Sequence, residues 1–568
     1  MKNITLIFTS LLLVFAVSCT DDFDEINEQP DALSVNDVSA KFFVTSIQQK
    51  VFRNDIFKLW YGDVFHSDQF SGHFAGGHSE YGFAGDFGWD YWNALTDNGS
   101  WGPYSGMNSS ITSYMNLVGK GGTLENDQYY AIGLIIKGFY YQLYTDQFGA
   151  IPYSEASNPE IKLPKYDDQI DIYKGIIAEL DEAISIIGSN TATGLGVDLL
   201  AENDVIFNGN LQNWKKLANS LKLRIALRAY GAPGENFSAN VIAKALNPEN
   251  GGVLADTDAL MAGFGEANMW ADGTASYGDI WYTWTNSRWK LGEPLINIMK
   301  SDNDPRLNVM AKPSEGGSVT IDLTVRDGET SDLVQKHKDF LKSTLDNSGL
   351  VLDTDYTWVE AGDELKITMD ENTHYVGLPL RTSDGLQRYL NAKLFSDPAD
   401  NLTQQLNQGK EMFPTPIMLA ADTHFMIAEA ILRGLHSGDA AAYYQSGLRK
   451  AMEFWETISG APLDESNMSP LSGTTDEMME QVSTQRWLAN YANSLESWSI
   501  VRKTGYPSSA LITSTDDDVI SYAGQLNGAY PYRLRYGTGV YDSNKANVDA
   551  AVDKQGKDVM ATKLWFAK

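Results

Sequence analysis

Apolar residues recur at helical spacing over much of this chain. Ile132, Ile136, Phe139 and Leu143 repeat at i, i+4, i+7 and i+11, and Tyr173, Ile177, Leu180 and Ile184 do the same after the polar Asp167-Asp168. Trp214, Leu217, Leu221 and Ile225 form a third stripe, and Tyr444, Leu448, Ala451 and Trp455 a fourth. Each stripe predicts one buried face of an amphipathic helix. Residues 422–432, with Ala428 and Ala430, predict a close-packed partner for the fourth. A last long helix is predicted from about Asp476, the N-cap in Thr474-Thr475-Asp476, to about Trp498.

The helices come as pairs joined by short turns, such as Gly438-Asp439 between 422–434 and 440–455. Small residues at one contact and large aromatics at the next resemble tetratricopeptide-like hairpins, which stack because one pair cannot bury its own face. No strict period of about 34 residues runs through them. Two stretches break the helical pattern. Residues 70–106 are rich in glycine and aromatics. Residues 310–415 carry Val319, Ile321, Leu323 and Val325 in alternation, then an extended run near Leu365-Lys366-Ile367. That alternation predicts strands or long loops inserted between helical blocks. No proline-rich linker sets the insertion apart, so residues 39–568 are expected to form a single, mainly α body.

The start of the chain changes the picture. Lys2, an apolar run from Ile4 to Val17, and the small residues Ala16-Val17-Ser18 precede Cys19, the only cysteine among 568 residues. A cationic start, a short apolar core and small residues make a secretory signal, too short to span a membrane. The stretch ending at Cys19 resembles a bacterial lipobox, in which that cysteine is acylated. Thr20-Asp21-Asp22-Phe23-Asp24-Glu25 follows, an acidic run similar to the surface-export tag of Bacteroidetes lipoproteins. Residues 1–18 thus read as a signal peptide and 19–38 as an extended acidic tether. Losing Lys2 takes the formal charge from −31 to −32. Such an excess of acid argues against nucleic acid and anionic membrane surfaces as partners. A hydrophobic share of 43% is ample for a large core without disulfides.

Candidate chemistry is mostly aromatic. Phe70, Phe74, Tyr81, Phe83, Phe87, Trp89, Tyr91, Trp92, Trp101 and Tyr104 fall in one window, where the chain average of 11% would place about four. A second cluster comprises Trp270, Tyr277, Trp281, Tyr282, Trp284 and Trp289. Sugars pack their C–H faces on such rings while hydroxyls bond polar groups at the rim. Asn93, Asp97, Asn98, Asp279, Asn286 and Arg288 are the polar neighbours. Core packing is the competing expectation for each ring, above all for the helix-spaced Trp281, Trp284 and Trp289. His66, His73 and His78 match no zinc spacing and are expected to be exposed or satisfied loop residues. Asp302/Asp304, Asp353/Asp355 and Asp516-Asp517-Asp518 lack the rest of a calcium loop. Solvated acid is expected there and no cofactor is implied, with one structural calcium left open. No GxSxG elbow or Walker loop occurs, so nothing positive points to catalysis.

Several segments in order resemble the SusD/RagB group of outer-membrane nutrient-binding lipoproteins. They are Asp146-Gln147-Phe148-Gly149-Ala150-Ile151-Pro152-Tyr153-Ser154-Glu155-Ala156, then Trp214 to Arg224 (WKKLANSLKLR), Asp304-Pro305-Arg306-Leu307 and Ala428-Glu429-Ala430-Ile431-Leu432-Arg433-Gly434. Gln485-Arg486-Trp487, Arg502-Lys503-Thr504-Gly505 and Leu564-Trp565-Phe566 complete the series. Most have structural roles on physical grounds: Asn219 and Ser220 can bond neighbouring backbone, and Asp304-Pro305 sets a turn. Gly537 stands where relatives often carry proline, which leaves the conformation of the last 30 or so residues open. The resemblance implies four tetratricopeptide-like helix pairs beneath a loop-rich binding face. It also implies an outer-membrane, cell-surface location and a TonB-dependent SusC-type barrel as partner. The ligand would be an oligosaccharide or, in some branches, a peptide, and members bind rather than catalyse. The expected ligand face lies where 70–104 meets 277–289, with Trp89, Trp92, Trp101, Tyr81, Tyr91, Asn93, Trp281, Tyr282, Trp284 and Arg288 as candidates. A surface-anchored hydrolase is the alternative class. It would show paired, perturbed carboxylates in a pocket.

Overall fold

In the computed structural model the described residues are 39–52, 58–76, 97–262, 289–403, 413–511, 516–520, 526 and 528–568. The signal peptide, the tether and Cys19 lie outside them. Among the described residues no helix is long and apolar enough to cross a membrane.

The first helix among the described residues, α1 (Lys41–Phe52), turns Val44, Ile47, Val51 and Phe52 inward. A wide π-type turn over Lys58–Ser67 leads to the short strand β1 (Phe74–Gly76). Helices α2 (Gly102–Val118), α3 (Asp127–Phe148), α4 (Gln169–Ile187), α5 (Leu211–Ala229) and α6 (Ser238–Ala245) follow and pack in succession. Side-chain caps fix the starts of α3 and α5. Asn126 accepts from Gln128 N and Tyr129 N at 2.9 and 3.1 Å, and Asn210 does the same for the start of α5. The predicted stripes face the core, although Leu143 and Ile184 at their ends are half-buried.

Strands β2 (Ala259–Met261) and β3 (Trp289–Leu291) then lead into α7 (Glu293–Ser301). The insertion consists of β4 (Gly317–Asp322), α8 (Ser331–Asn347), β5 (Tyr356–Ala361) and β6 (Glu364–Met369), with antiparallel strand order β4-β6-β5. Val319 and Ile321 pair with Ile367 and Leu365, and these four side chains share one buried face. With Val334, Leu341 and Leu345 of α8 they form a second core, separate from the main one. The helix α8 was not predicted. Its polar His337 and Lys338 interrupt the apolar stripe, although both are themselves buried. Val325, the last of the alternating residues, is exposed.

The second half continues with β7 (Thr415–Met418), α9 (Ala420–Leu432), α10 (Ala440–Ser459), α11 (Thr475–Ala489), α12 (Ser494–Thr504) and α13 (Lys545–Gln555). Helix α9 packs on α10 and α11, and α11 packs on α12, in the stacked manner of tetratricopeptide-like pairs. The predicted helix from Asp476 to Trp498 is two helices. Thr474, not Asp476, is the cap, in a capping box with Glu477. The break comes at residues 490–493, where Asn490 turns its side chain back onto Arg486 O at 2.9 Å. After that break α12 packs on α3 and reaches α5 through Glu496.

A buried ionic seam joins the two halves. Arg228 on α5 bonds Asp146 of α3 and Glu496 of α12. Arg224, one turn earlier, donates to Asp422 of α9 at 3.3 Å. Arg486 on α11 donates to Asp422 at 2.9 Å and to Glu429 at 2.7 Å. Arg502 caps the group through Asp146 O at 2.6 Å. Burial alone would push the Glu496 carboxyl up, but Arg224, Arg228 and Arg486 around it hold it below the usual carboxylate range.

Glu496→Gln should therefore destabilise the fold by about 3–5 kcal/mol at neutral pH, because it leaves buried arginine charge uncompensated. The folded-state pKa lies below the unfolded one, so this contribution is present at neutral pH and is lost as pH falls through the carboxylate range. Urea titrations at pH 7 and in acid, which should show the two proteins converging in acid, check it.

Candidate functional site

The two aromatic-rich segments of the sequence start from one place. Strand β1 ends at Gly76 and β3 begins at Trp289, and the two strands pair antiparallel with Gly76 opposite Trp289. Residues 77–96 therefore leave, and residues 263–288 arrive, at adjacent points. Both stretches lie outside the described residues, and with them Tyr81, Trp89, Tyr91, Trp92, Asn93, Trp281, Tyr282, Trp284 and Arg288. A second ribbon holds the other end of 263–288. There β2 pairs with β7, Met261 opposite Thr415. The ring of Trp289 lies across Gly76, where an added Cβ would come within 2.7 Å of it, and rests against Phe65 at 5.4 Å between centroids. Only a glycine at 76 leaves room for that plate. Trp289 belongs to a strand, not a helix, and is half-buried.

The far end of segment 77–96 is docked at the C-terminal part of the chain. Asp97 accepts Thr538 N at 2.9 Å and Thr538 Oγ1 at 2.6 Å. Trp101 is half-buried. It stacks parallel to Tyr166 at 6.3 Å and meets Phe148 and Tyr536 edge-on at 5.1 and 5.5 Å. A Cβ on Gly537 would stand 2.4 Å from the Trp101 ring, so a proline there would occupy the space that the indole fills. This accounts for the departure at Gly537. Residues 102–106, expected in a loop, form the first turn of α2, and Tyr104 is buried. Phe70 and Phe74 are buried as well.

Of the two expectations for the loop histidines, exposed or satisfied, exposure fails at His66 and His73. His66 lies in the π-type turn and His73 just before β1, and both are fully buried rather than exposed. His73 packs on Trp487 at 4.3 Å, and burial pushes its pKa down to about 3. His78 lies outside the described residues. The acidic pairs also find partners. Asp304 clamps Arg306, which reaches Gln485 at 2.7 Å, and Lys336 bridges Asp516 and Asp518, both at 2.7 Å. Among the described residues no cluster could hold a metal ion. Asn219 does not serve its own neighbourhood but reaches the carbonyls of Asn250 and Gly252, both at 2.9 Å.

Beside the ionic seam lies a cavity of about 90 Å³. Arg224, Asp146, Glu496 and Arg502 contribute charge to it, Phe52 and Phe139 apolar wall, and Lys58, Asp63 and Gln142 further polar groups. Ligand pockets run to about 300 Å³ and more, so this volume suits ordered water rather than a sugar. Asp63 is half-buried by accessible surface yet well enclosed by protein. Desolvation raises its pKa to about 6, against the opposing pull of Lys58 and the Ser67 hydroxyl. Hydrolysis by paired carboxylates needs two acids acting on one bond. Here Asp146 and Glu496 are both bound to Arg228. Sequence reasoning missed this cluster. Its signal was present as charged residues inside otherwise apolar helix faces.

Family comparison adds to this geometry. The chain matches a SusD-like family model described as starch-binding and associating with the outer membrane, over residues 32–347 and 364–537. The gap covers β5 of the insertion. A chitin-binding protein of solved structure is 22% identical, with 93% of this chain and 99% of that one covered at a TM-score of 0.68. A SusD homologue from Bacteroides uniformis gives 22%, 93%, 99% and 0.66. One from Bacteroides thetaiotaomicron gives 19%, 94%, 99% and 0.63. At these identities the likeness establishes the fold. No curated protein matches the chain.

Asp63 offers a pH test. Its folded-state pKa of about 6 exceeds the ordinary 3.8. Its stabilising contribution is therefore complete below the ordinary value and is lost as pH rises through the folded one. Asp63→Asn should melt higher than the parent at pH 8 and match it at about pH 4, as differential scanning calorimetry at the two pH values would show.

Proposed function

The chain belongs to the SusD-like family of starch-binding proteins that associate with the outer membrane, and on that premise we propose that it captures oligosaccharides at the cell surface and delivers them to a TonB-dependent SusC-type transporter. The observation that carries this reading is the shared root of the two aromatic segments. Gly76 and Trp289 are paired neighbours, so Trp89 and Trp92 on one segment and Trp281 and Trp284 on the other start from a common edge. An oligosaccharide needs several flat rings within reach of one another, with polar groups such as Asn93 and Arg288 at the rim. A peptide would instead use backbone partners in a groove, and the density of tryptophan in the two segments favours the sugar. Binding, not catalysis, is the role in this reading.

Anchoring completes the proposal. Acylation of Cys19 and export past the acidic run would place residues 39–568 outside the cell as one composite body. Cys19→Ala should then release the protein or trap it within the envelope. Protease shaving of intact cells reads this directly: digestion of the parent is the expected result, and full protection would refute surface display.

Loss of one stacking ring should cost about 1–2 kcal/mol, or roughly 5–30-fold in affinity. Calorimetry of the tryptophan-to-alanine variants at 89, 92, 101, 281 and 284 against oligosaccharides and peptides measures it, using variants that melt like the parent. Trp101, packed as it is against Tyr166 and Phe148, should lose stability first. Full affinity in every stable variant would remove the site from these segments. Binding of peptides alone would change the ligand class and leave the import role standing.

A further inference from the structure

Five of the nine large apolar side chains exposed among the described residues crowd one corner, where the chain enters its first helix. Phe42 and Phe43 project from α1 with 58% and 44% of their surface exposed, although the opposite face of the helix is buried. Leu195, 91% exposed, stands with Val197 and Leu199 on the loop between α4 and α5. Ser39 Oγ donates to Asp198 Oδ1 at 3.2 Å and Thr45 Oγ1 to Asn203 O at 2.6 Å, so helix and loop form one surface.

The loop holds its apolar side chains outward on a fixed backbone. Thr193 Oγ1 donates to Asp198 O at 2.8 Å and accepts from Leu200 N at 2.9 Å, and Tyr129 OH donates to Asp198 O at 2.8 Å. Bulky apolar groups gathered on a surface mark a contact with another surface, and a backbone already held in place lowers the ordering cost of that contact. The position of the corner narrows the choice of partner. Residues 19–38 separate Ser39 from Cys19, a span of at most about 70 Å when extended, so along the chain this corner is the part of the body nearest the anchor. Anionic headgroups would repel a chain of formal charge −31. An apolar protein surface at the same height would not.

We propose that the corner formed by Phe42, Phe43, Leu195, Val197 and Leu199 docks on an apolar, weakly charged outward surface of the membrane-embedded transporter. The proposal rests on the import reading above. Full-length, lipidated protein carrying Leu195→Glu or Phe42→Glu should associate with the barrel at least tenfold more weakly in detergent extracts of outer membrane. Melting temperature and oligosaccharide affinity should stay at parental values. Leu163→Glu is the control: Leu163 is also exposed, but on the surface beside α13, where Asn547 bonds its carbonyl at 3.0 Å. As a second readout, Leu195→Cys labelled with a benzophenone maleimide should cross-link to the barrel on illumination, and Leu163→Cys should not. Parental association by both glutamate variants, or no cross-link from position 195, overturns the corner while the parent's own complex upholds the import reading. A parent that never associates with the barrel overturns both. Capture of the unlipidated body by phosphatidylethanolamine vesicles, lost in Leu195→Glu, would assign the corner to lipid and overturn the protein partner.

Discussion

Arg224, Arg228, Arg486 and Arg502 share a buried seam with Asp146, Asp422, Glu429 and Glu496, all within 5% exposure. Removing one such ion from water costs several kcal/mol, and only a closely matched set of partners offsets it. Those partners come from α3, α5, α9, α11 and α12, and Arg228 needs both α3 and α12 while Asp422 is shared between α5 and α11. The seam therefore demands that both halves of the chain be in place together. It also constrains their register, since the carboxylates of α3, α9 and α12 must stand opposite the arginines of α5 and α11. Phe566, near the last residue, closes the group with its ring 5.1 Å from the Arg502 guanidinium and 5.9 Å from that of Arg228.

This arrangement explains why the sequence motifs look as they do. Asp146 belongs to the segment that ends in Ile151-Pro152-Tyr153, Arg224 ends the helix motif that begins at Trp214, and Glu429, Arg486 and Arg502 sit in three others. Each supplies one charge to a common seam, so the motifs describe a frame and not a ligand site. Selectivity has to be written elsewhere. The frame offers two short ribbons, β1/β3 and β2/β7, from whose ends the aromatic segments depart. Gly76 matters here because the absence of a side chain lets Trp289 lie flat across the ribbon.

The cavity beside the seam and the tether corner show the same division between frame and contact. The cavity is small and lined by charges that already answer one another, the weak acid Asp63 facing Lys58 among them. The corner is the reverse: its apolar residues have no use in the fold and are held out by hydrogen bonds beneath them. Both features are set by residues far apart in sequence, such as Ser39 with Asp198 at the corner and Phe52 with Arg224 and Glu496 around the cavity.

By itself the sequence determined the helix pairs, because a buried stripe at 3.6-residue spacing is a local property that neighbours only confirm. It likewise determined the alternating strands around Val319 and Leu365, and it carried the family in its ordered motifs. Other features depended on distance. Helix α8 was hidden because the buried His337 and Lys338 read as polar breaks in its stripe. The break after Ala489 was hidden because apolar residues continue through it to Trp498. Trp101 could have been a ligand plate or a packing ring until Gly537, more than four hundred residues away, left the space it occupies. The tertiary structure alone decided which charges meet and which rings are covered. Burial and ion pairing are relations between surfaces, and a single chain position cannot specify the surface that will arrive opposite it.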